Sequence, residues 1–195
     1  MQLRIDHVAL AVRDYAAARA FFEKVFGALP GAGAPDRRLG FHWQVFSLGD
    51  LSRLELIAPL AAKSFLEGFL RKREGGLHHI TFHTDDIQAV KAHLDRCKVP
   101  YFGFSEADPN WKELFIHPRD AFGVLIQVAA FDPDAFLGPE ARVGPEKRWA
   151  LVATRNGCRL MMAHPGGGSV ALDLSPDEID ALVVDLQQHK AFKSR

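Results

Sequence analysis

The 195-residue chain has little cysteine, no excess of charge of either sign and no long apolar run. Two cysteines, Cys97 and Cys158, cannot build a disulfide framework and form no Cys-x-x-Cys metal pair, so both are read as reduced and structural. Lys+Arg and Asp+Glu are equal at 24 each, which removes the basic field that draws a protein to nucleic acid or to an anionic membrane. No stretch approaches the about 20 apolar residues that a membrane helix needs. The chain runs from Met1 into an alternating pattern without a charged-then-apolar leader, so the expected location is the cytoplasm. What is present is a 48% hydrophobic composition, enough for one ordinary core and a small accessory unit.

Residues 3–12 (LRIDHVALAV) alternate as a strand, and 14–27 carry Ala18, Phe21, Phe22, Val25 and Phe26 on one helical stripe that stops at Gly27. Residues 28–36 read mainly as a Gly/Pro/Ala loop, with a short strand near 29–34 completing the module. Strands at 40–48 and 52–59 follow, joined by a turn around Gly49 and Asp50. A linking helix is predicted over 61–73, ended by Gly75-Gly76. The order then restarts, with a strand at 77–84, a helix at 86–97 and strands near 100–104, 111–117 and 123–131.

One offset relates the two halves. His7 to His79 is 79 − 7 = 72 residues, Asp14 to Asp86 is 86 − 14 = 72, and Glu55 to Gln127 is 127 − 55 = 72. An ungapped match of strand, helix start and strand points to tandem duplication. The fold expected is α+β: two tandem βαβββ modules forming a concave mixed sheet around a metal site, plus a small C-terminal β-meander and helix. Residues 1–132 make the main domain, with modules at about 1–60 and 76–131. Residues 133–195 make a linker and an accessory β3α unit, with strands at 149–154, 158–163 and 170–174. Ser175, Pro176 and Glu178 form its helix start.

Glu55 lies between Leu54 and Leu56, and Gln127 between Ile126 and Val128. A polar side chain buried in such a strand needs a partner. Two imidazoles, a carboxylate and an amide carbonyl give a mixed N/O set suited to one divalent ion, Zn, Ni, Co, Mn or Fe. The candidate metal ligands are therefore His7, Glu55, His79 and Gln127.

The segments IDHVALAV, LELIAP, GLHHITFHTDDI and FIHPRDAFGVLIQV resemble the vicinal-oxygen-chelate (glyoxalase/bleomycin resistance/extradiol dioxygenase) superfamily, and within it the methylmalonyl-CoA epimerases most closely. The resemblance spans roughly residues 3–131. It implies metal ligation by the same four residues and proton transfer beside a metal-chelated carbonyl. The superfamily brings Glu from the last strand where this chain has Gln127, and an amide cannot act as a base. The implied catalytic residue is therefore Glu55. His83, two residues beyond His79 on the same strand face, and Arg119, in a His-Pro turn like that of the epimerases, are candidate substrate-binding residues.

The expected activity is that of a metal-dependent isomerase or lyase of glyoxalase type, acting on an acyl-CoA or a 2-oxo acid. A non-catalytic small-molecule-binding protein and a non-haem Fe(II) dioxygenase are the alternatives. A homodimer is the expected assembly, with no nucleic acid and no membrane as partner.

Overall fold

A computed structural model describes residues 3–49, 52–61, 63–138, 148–163 and 169–192. Part of the turn expected at Gly49 and Asp50 lies outside these residues. So does most of the expected linker.

β1 (Arg4–Val12) leads into α1 (Tyr15–Phe26), whose N-cap is Asp14. Its carboxylate accepts a hydrogen bond from the Ala17 amide at 2.9 Å. Gly27 ends the helix at φ 65°, a left-handed conformation that costs glycine nothing. β2 (Leu29–Asp36), β3 (Phe41–Ser47) and β4 (Arg53–Pro59) complete the first module. β2 is thus a full strand where the sequence reads mainly as loop. Its glycines serve close approach: a Cβ on Gly31 would stand 2.2 Å from the Phe136 carbonyl oxygen.

The linking helix is shorter than expected. Among the described residues of this stretch only α2 (Leu66–Leu70) is an α-helix. Arg13, at the end of β1, donates to the carbonyls of Leu70 and Arg73 and so fixes where the helix stops. Gly75 and Gly76 do not end a helix but begin β5 (Gly75–His83), pairing with Val12 and Ala11.

α3 (Ile87–Cys97), β6 (Phe102–Asp108), β7 (Trp111–Ile116) and β8 (Leu125–Phe131) repeat the first module. Asp86 caps α3 as Asp14 caps α1, accepting from the Ala89 amide at 2.9 Å.

The eight strands form one sheet in the order β2-β3-β4-β1-β5-β8-β7-β6. β1 runs parallel to β4, β5 parallel to β8, and β1 antiparallel to β5 at the centre. The registers repeat the sequence offset: Ala9 faces Glu55, and Thr81 faces Gln127. Across the central seam His7 faces Thr81 and Ala9 faces His79, as a local two-fold requires.

α1 packs on Phe46, Leu54 and Leu56 through Ala18 and Phe22, while Ile87 and Val90 of α3 pack on Leu114 and Val128. Each such buried Leu stabilises the fold by roughly 2–5 kcal/mol relative to Ala. The expected α1 stripe is too wide, since Phe21, Val25 and Phe26 remain exposed. Cys97 is exposed as well.

β9 (Trp149–Thr154), β10 (Gly157–Ala163) and β11 (Ser169–Leu174) form a separate antiparallel sheet in the order β11-β10-β9, followed by α4 (Pro176–Phe192). Glu178 accepts from the Ser175 amide at 2.8 Å and donates its own amide to Ser175 Oγ at 3.4 Å, closing a capping box. No helix among the described residues is long and apolar enough to cross a membrane.

Candidate metal centre

β1 does not alternate evenly. Its pairing with β5 shifts register between Ile5 and His7, so Ile5 stays exposed while Asp6 and His7 are both buried. This irregularity gives His7 a carboxylate neighbour: Asp6 Oδ2 lies 2.7 Å from His7 Nδ1. The other oxygen of Asp6 pairs with Arg53, whose guanidinium also donates to the Pro133 carbonyl at 3.0 Å and lies 5.6 Å from the Phe131 ring centre.

With Nδ1 engaged, His7 turns Nε2 toward Glu55, 3.7 Å from Oε2. His79 does the same from β5. Its Nδ1 stands 2.9 Å from His78 Nδ1, and its Nε2 is 3.4 Å from Glu55 Oε2. One ligand atom from each of His7, Glu55 and His79 lies within 4.8 Å of the others.

Gln127 borders this group from β8. Its Oε1 accepts from Thr81 Oγ1 at 2.6 Å, and its Nε2 donates to Glu113 Oε2 at 2.8 Å. Trp111 Nε1 donates to the same Glu113 oxygen at 2.9 Å.

Burial decides the electrostatics. It pushes the Glu55 carboxyl up to about 7, with Asp6 and Glu113 adding to the rise and His7 opposing it. Burial also holds His79 well below the usual imidazole range, helped by His7 and His78, and takes His78 to about 4. At Asp6, burial alone would raise the carboxyl, but the His7 hydrogen bond and Arg53 outweigh it and bring the group to about 2.

This donor set fits a divalent cation. Two imidazoles with Nδ1 tied back and Nε2 free are arranged as metal ligands are. The buried carboxylate between them is the group that a cation would relieve most. Gln127 can add an amide oxygen beside His79.

The group sits on the floor of a cavity of about 1440 Å³. Phe41, Trp43 and Phe115 help form its walls, and Arg38 and Lys112 are among its lining cations.

Two expected substrate residues are elsewhere. His83 does not line the cavity. Its Nε2 lies 2.9 Å from the Phe131 carbonyl oxygen and its ring packs edge-on against Phe131, with 4.9 Å between centres. Arg119 stands exposed on the Pro118–Asp120 turn, paired with its neighbour Asp120 at 3.2 Å, also off the cavity.

Sequence reasoning missed Asp6, Arg53 and Glu113. The DH dipeptide of β1 was the available signal for Asp6. For Glu113 the signal is strand register: Val45 faces Glu55 and Phe115 faces Gln127, so these hairpins align at 115 − 45 = 70. That shift places Glu113 opposite Trp43 in the repeat.

This eight-stranded sheet with paired histidines at its seam matches a known class. A profile of the Glyoxalase/Bleomycin resistance protein/Dioxygenase superfamily matches residues 6–115, and the chain belongs to that superfamily. Within it, the similarity runs to epimerases. The chain is 34% identical over 128 residues to the mitochondrial methylmalonyl-CoA epimerase of Bos taurus, spanning 64% of this chain and 73% of that protein. It is 33% identical over 129 residues to the ethylmalonyl-CoA/methylmalonyl-CoA epimerase of Cereibacter sphaeroides, spanning 64% and 96%. A variant of the Streptomyces coelicolor methylmalonyl-CoA epimerase, solved with 2-nitronate-propionyl-CoA, superposes with a TM-score of 0.59 at 26% identity, covering 66% of this chain and 96% of that one.

Proposed function

We propose that the chain is a metal-dependent epimerase of a 2-carboxyacyl-CoA thioester, methylmalonyl-CoA first, in which His7, Glu55, His79 and Gln127 hold one divalent ion. The supporting observation is the convergence of His7, Glu55 and His79 on the floor of a large open cavity. The relatives' names and the CoA analogue bound by a structural neighbour agree with that substrate class.

When bound, the ion would serve as a Lewis acid that lowers the cost of negative charge on the substrate's carbonyl oxygen. Glu55 accepts the proton from the carbon between the two carbonyl groups, and the C–H electron pair passes into the adjacent carbonyl. A cavity water gives a proton to the opposite face, and Glu55 returns its own proton to the solvent, so the centre is inverted with no net change in protons. Asp6 holds His7 in the tautomer that leaves Nε2 free, and His78 backs His79 in the same way. Phe41, Trp43 and Phe115 give the acyl group apolar walls, and Arg38 and Lys112 offer cations to CoA phosphates.

Incubating one epimer of methylmalonyl-CoA with the metal-loaded chain should produce the other, and Glu55→Gln should slow the conversion by about 10²-fold or more. An epimer that stays unchanged contradicts the substrate assignment. Wild-type conversion by the variant removes Glu55 as the base.

A second reading rests on the same three residues, since two His and one carboxylate also form the facial set of non-haem Fe(II) oxygenases. Fe(II)-dependent oxygen consumption separates the two, because epimerisation consumes none. We take residues 1–132 as the catalytic unit, 133–195 as the accessory unit, the cytoplasm as the location and a homodimer as the assembly. The exposed Phe21, Val25 and Phe26 of α1 support a partner surface.

A further inference from the structure

Glu55 and Gln127 occupy matching positions in the two modules, yet their surroundings differ. Ala9 stands beside Glu55 where Thr81 stands beside Gln127. Trp43 occupies on β3 the place that Glu113 occupies on β7. At these matched positions the Gln127 side carries a hydroxyl donor and a carboxylate acceptor where the Glu55 side carries a methyl group and an indole.

The chemistry of the two side chains accounts for the difference. A carboxylate presents equivalent oxygens, so either can face a cation. An amide presents an oxygen that binds metal and an NH₂ that repels it, and the two are nearly the same shape. An amide ligand therefore needs something to hold it the right way round. Here Thr81 Oγ1 donates to Oε1 at 2.6 Å while Glu113 Oε2 takes the NH₂ at 2.8 Å. Trp111 Nε1 in turn fixes that carboxylate oxygen at 2.9 Å. A flipped amide would set its NH₂ against the Thr81 hydroxyl and its oxygen against the Glu113 carboxylate, a repulsive contact in a partly desolvated site.

We propose that Glu113, held by Trp111, is a positioning residue that fixes the Gln127 amide with its oxygen turned toward His79 and the metal, so that the amide serves as the fourth ligand. The inference rests on the metal-site reading above and on no step of the reaction. Glu113 acts through Gln127. Its loss should weaken metal binding only where that amide is present.

The test is a titration of the full-length chain with Co²⁺ alone, followed by visible absorption. Glu113→Leu should weaken Co²⁺ binding by about tenfold and change the absorption bands, since ligand-orienting partners typically govern 10–100-fold in affinity. Glu113→Gln keeps an acceptor for the Gln127 NH₂ and should restore most of the loss. Trp111→Phe, which leaves Glu113 in place, should give a smaller loss of the same kind. In a Gln127→Ala background the Glu113→Leu effect should vanish, because the two residues act in series.

An equal loss in both backgrounds, or none in the wild-type background, overturns the positioning role. A wild-type chain that takes up no Co²⁺ overturns the metal site itself and the inference with it. Normal Co²⁺ binding without epimerase activity contradicts only the functional reading.

Discussion

Asp6 Oδ2 lies 2.7 Å from His7 Nδ1, and the other oxygen of the same carboxylate pairs with the buried guanidinium of Arg53. One side chain thus sets the tautomer of His7, a proposed metal ligand, and neutralises a buried cation. Asp6→Asn should therefore lower metal affinity by roughly 10–100-fold. It should also destabilise the fold by about 3 kcal/mol, because Arg53 loses its counter-charge. Calorimetric metal titration and denaturant melts of the same variant check the two effects.

The same residue sets an acid limit. Its carboxyl is held at about 2, below its ordinary value, so it binds fewer protons in the folded state than in the unfolded one. The stabilisation it gives is full above the ordinary carboxylate range and is lost as pH falls toward 2. Denaturant melts between about pH 5 and about pH 2 should show a steeper loss for wild type than for Asp6→Asn. Parallel curves contradict the role given to Asp6.

Glu55 has the opposite sign. Burial raises its folded-state carboxyl to about 7 from an ordinary value of 4.5, so ionisation disfavours the metal-free fold. Metal-free stability should fall as pH rises between those two values, and above them Glu55→Gln should be the more stable protein. A divalent ion at the proposed site should reverse the effect, because it would bind the ionised form. Metal affinity of the wild type should weaken as pH drops below about 7, with proton release on binding visible in buffers of different ionisation enthalpy.

Arg119 and Leu114 provide contrasting controls. Arg119→Ala removes an exposed side chain that pairs only locally with Asp120, so stability should change by less than about 0.5 kcal/mol and KM should hold. Leu114→Ala opens a void between β7 and α3 and should cost about 3 kcal/mol in a chemical melt.

The legible parts of this molecule are those that obey one period. The offset between His7 and His79 and between Glu55 and Gln127 returns as strand register, and the Asp14 and Asp86 caps start equivalent helices. What escaped the sequence is what breaks a period. The irregular pairing of β1 buries Asp6 next to His7 where alternation would turn it away. The β7–β8 hairpin aligns with its counterpart at a different offset, which hid Glu113. Gly31, Gly33 and Gly75 carry a turn signal, yet they lie within strands where neighbouring atoms approach closely. His83 shares its strand with His79, but Phe131 folds over it.

The most direct measurement is the metal stoichiometry of the purified chain, stripped with chelator and titrated with a divalent ion, beside the variant His79→Ala. The wild type should bind one ion per chain, and the variant should bind about 10²-fold or more weakly. A wild-type chain that binds none, or a variant that binds as tightly as wild type, contradicts the metal centre at His7, Glu55, His79 and Gln127.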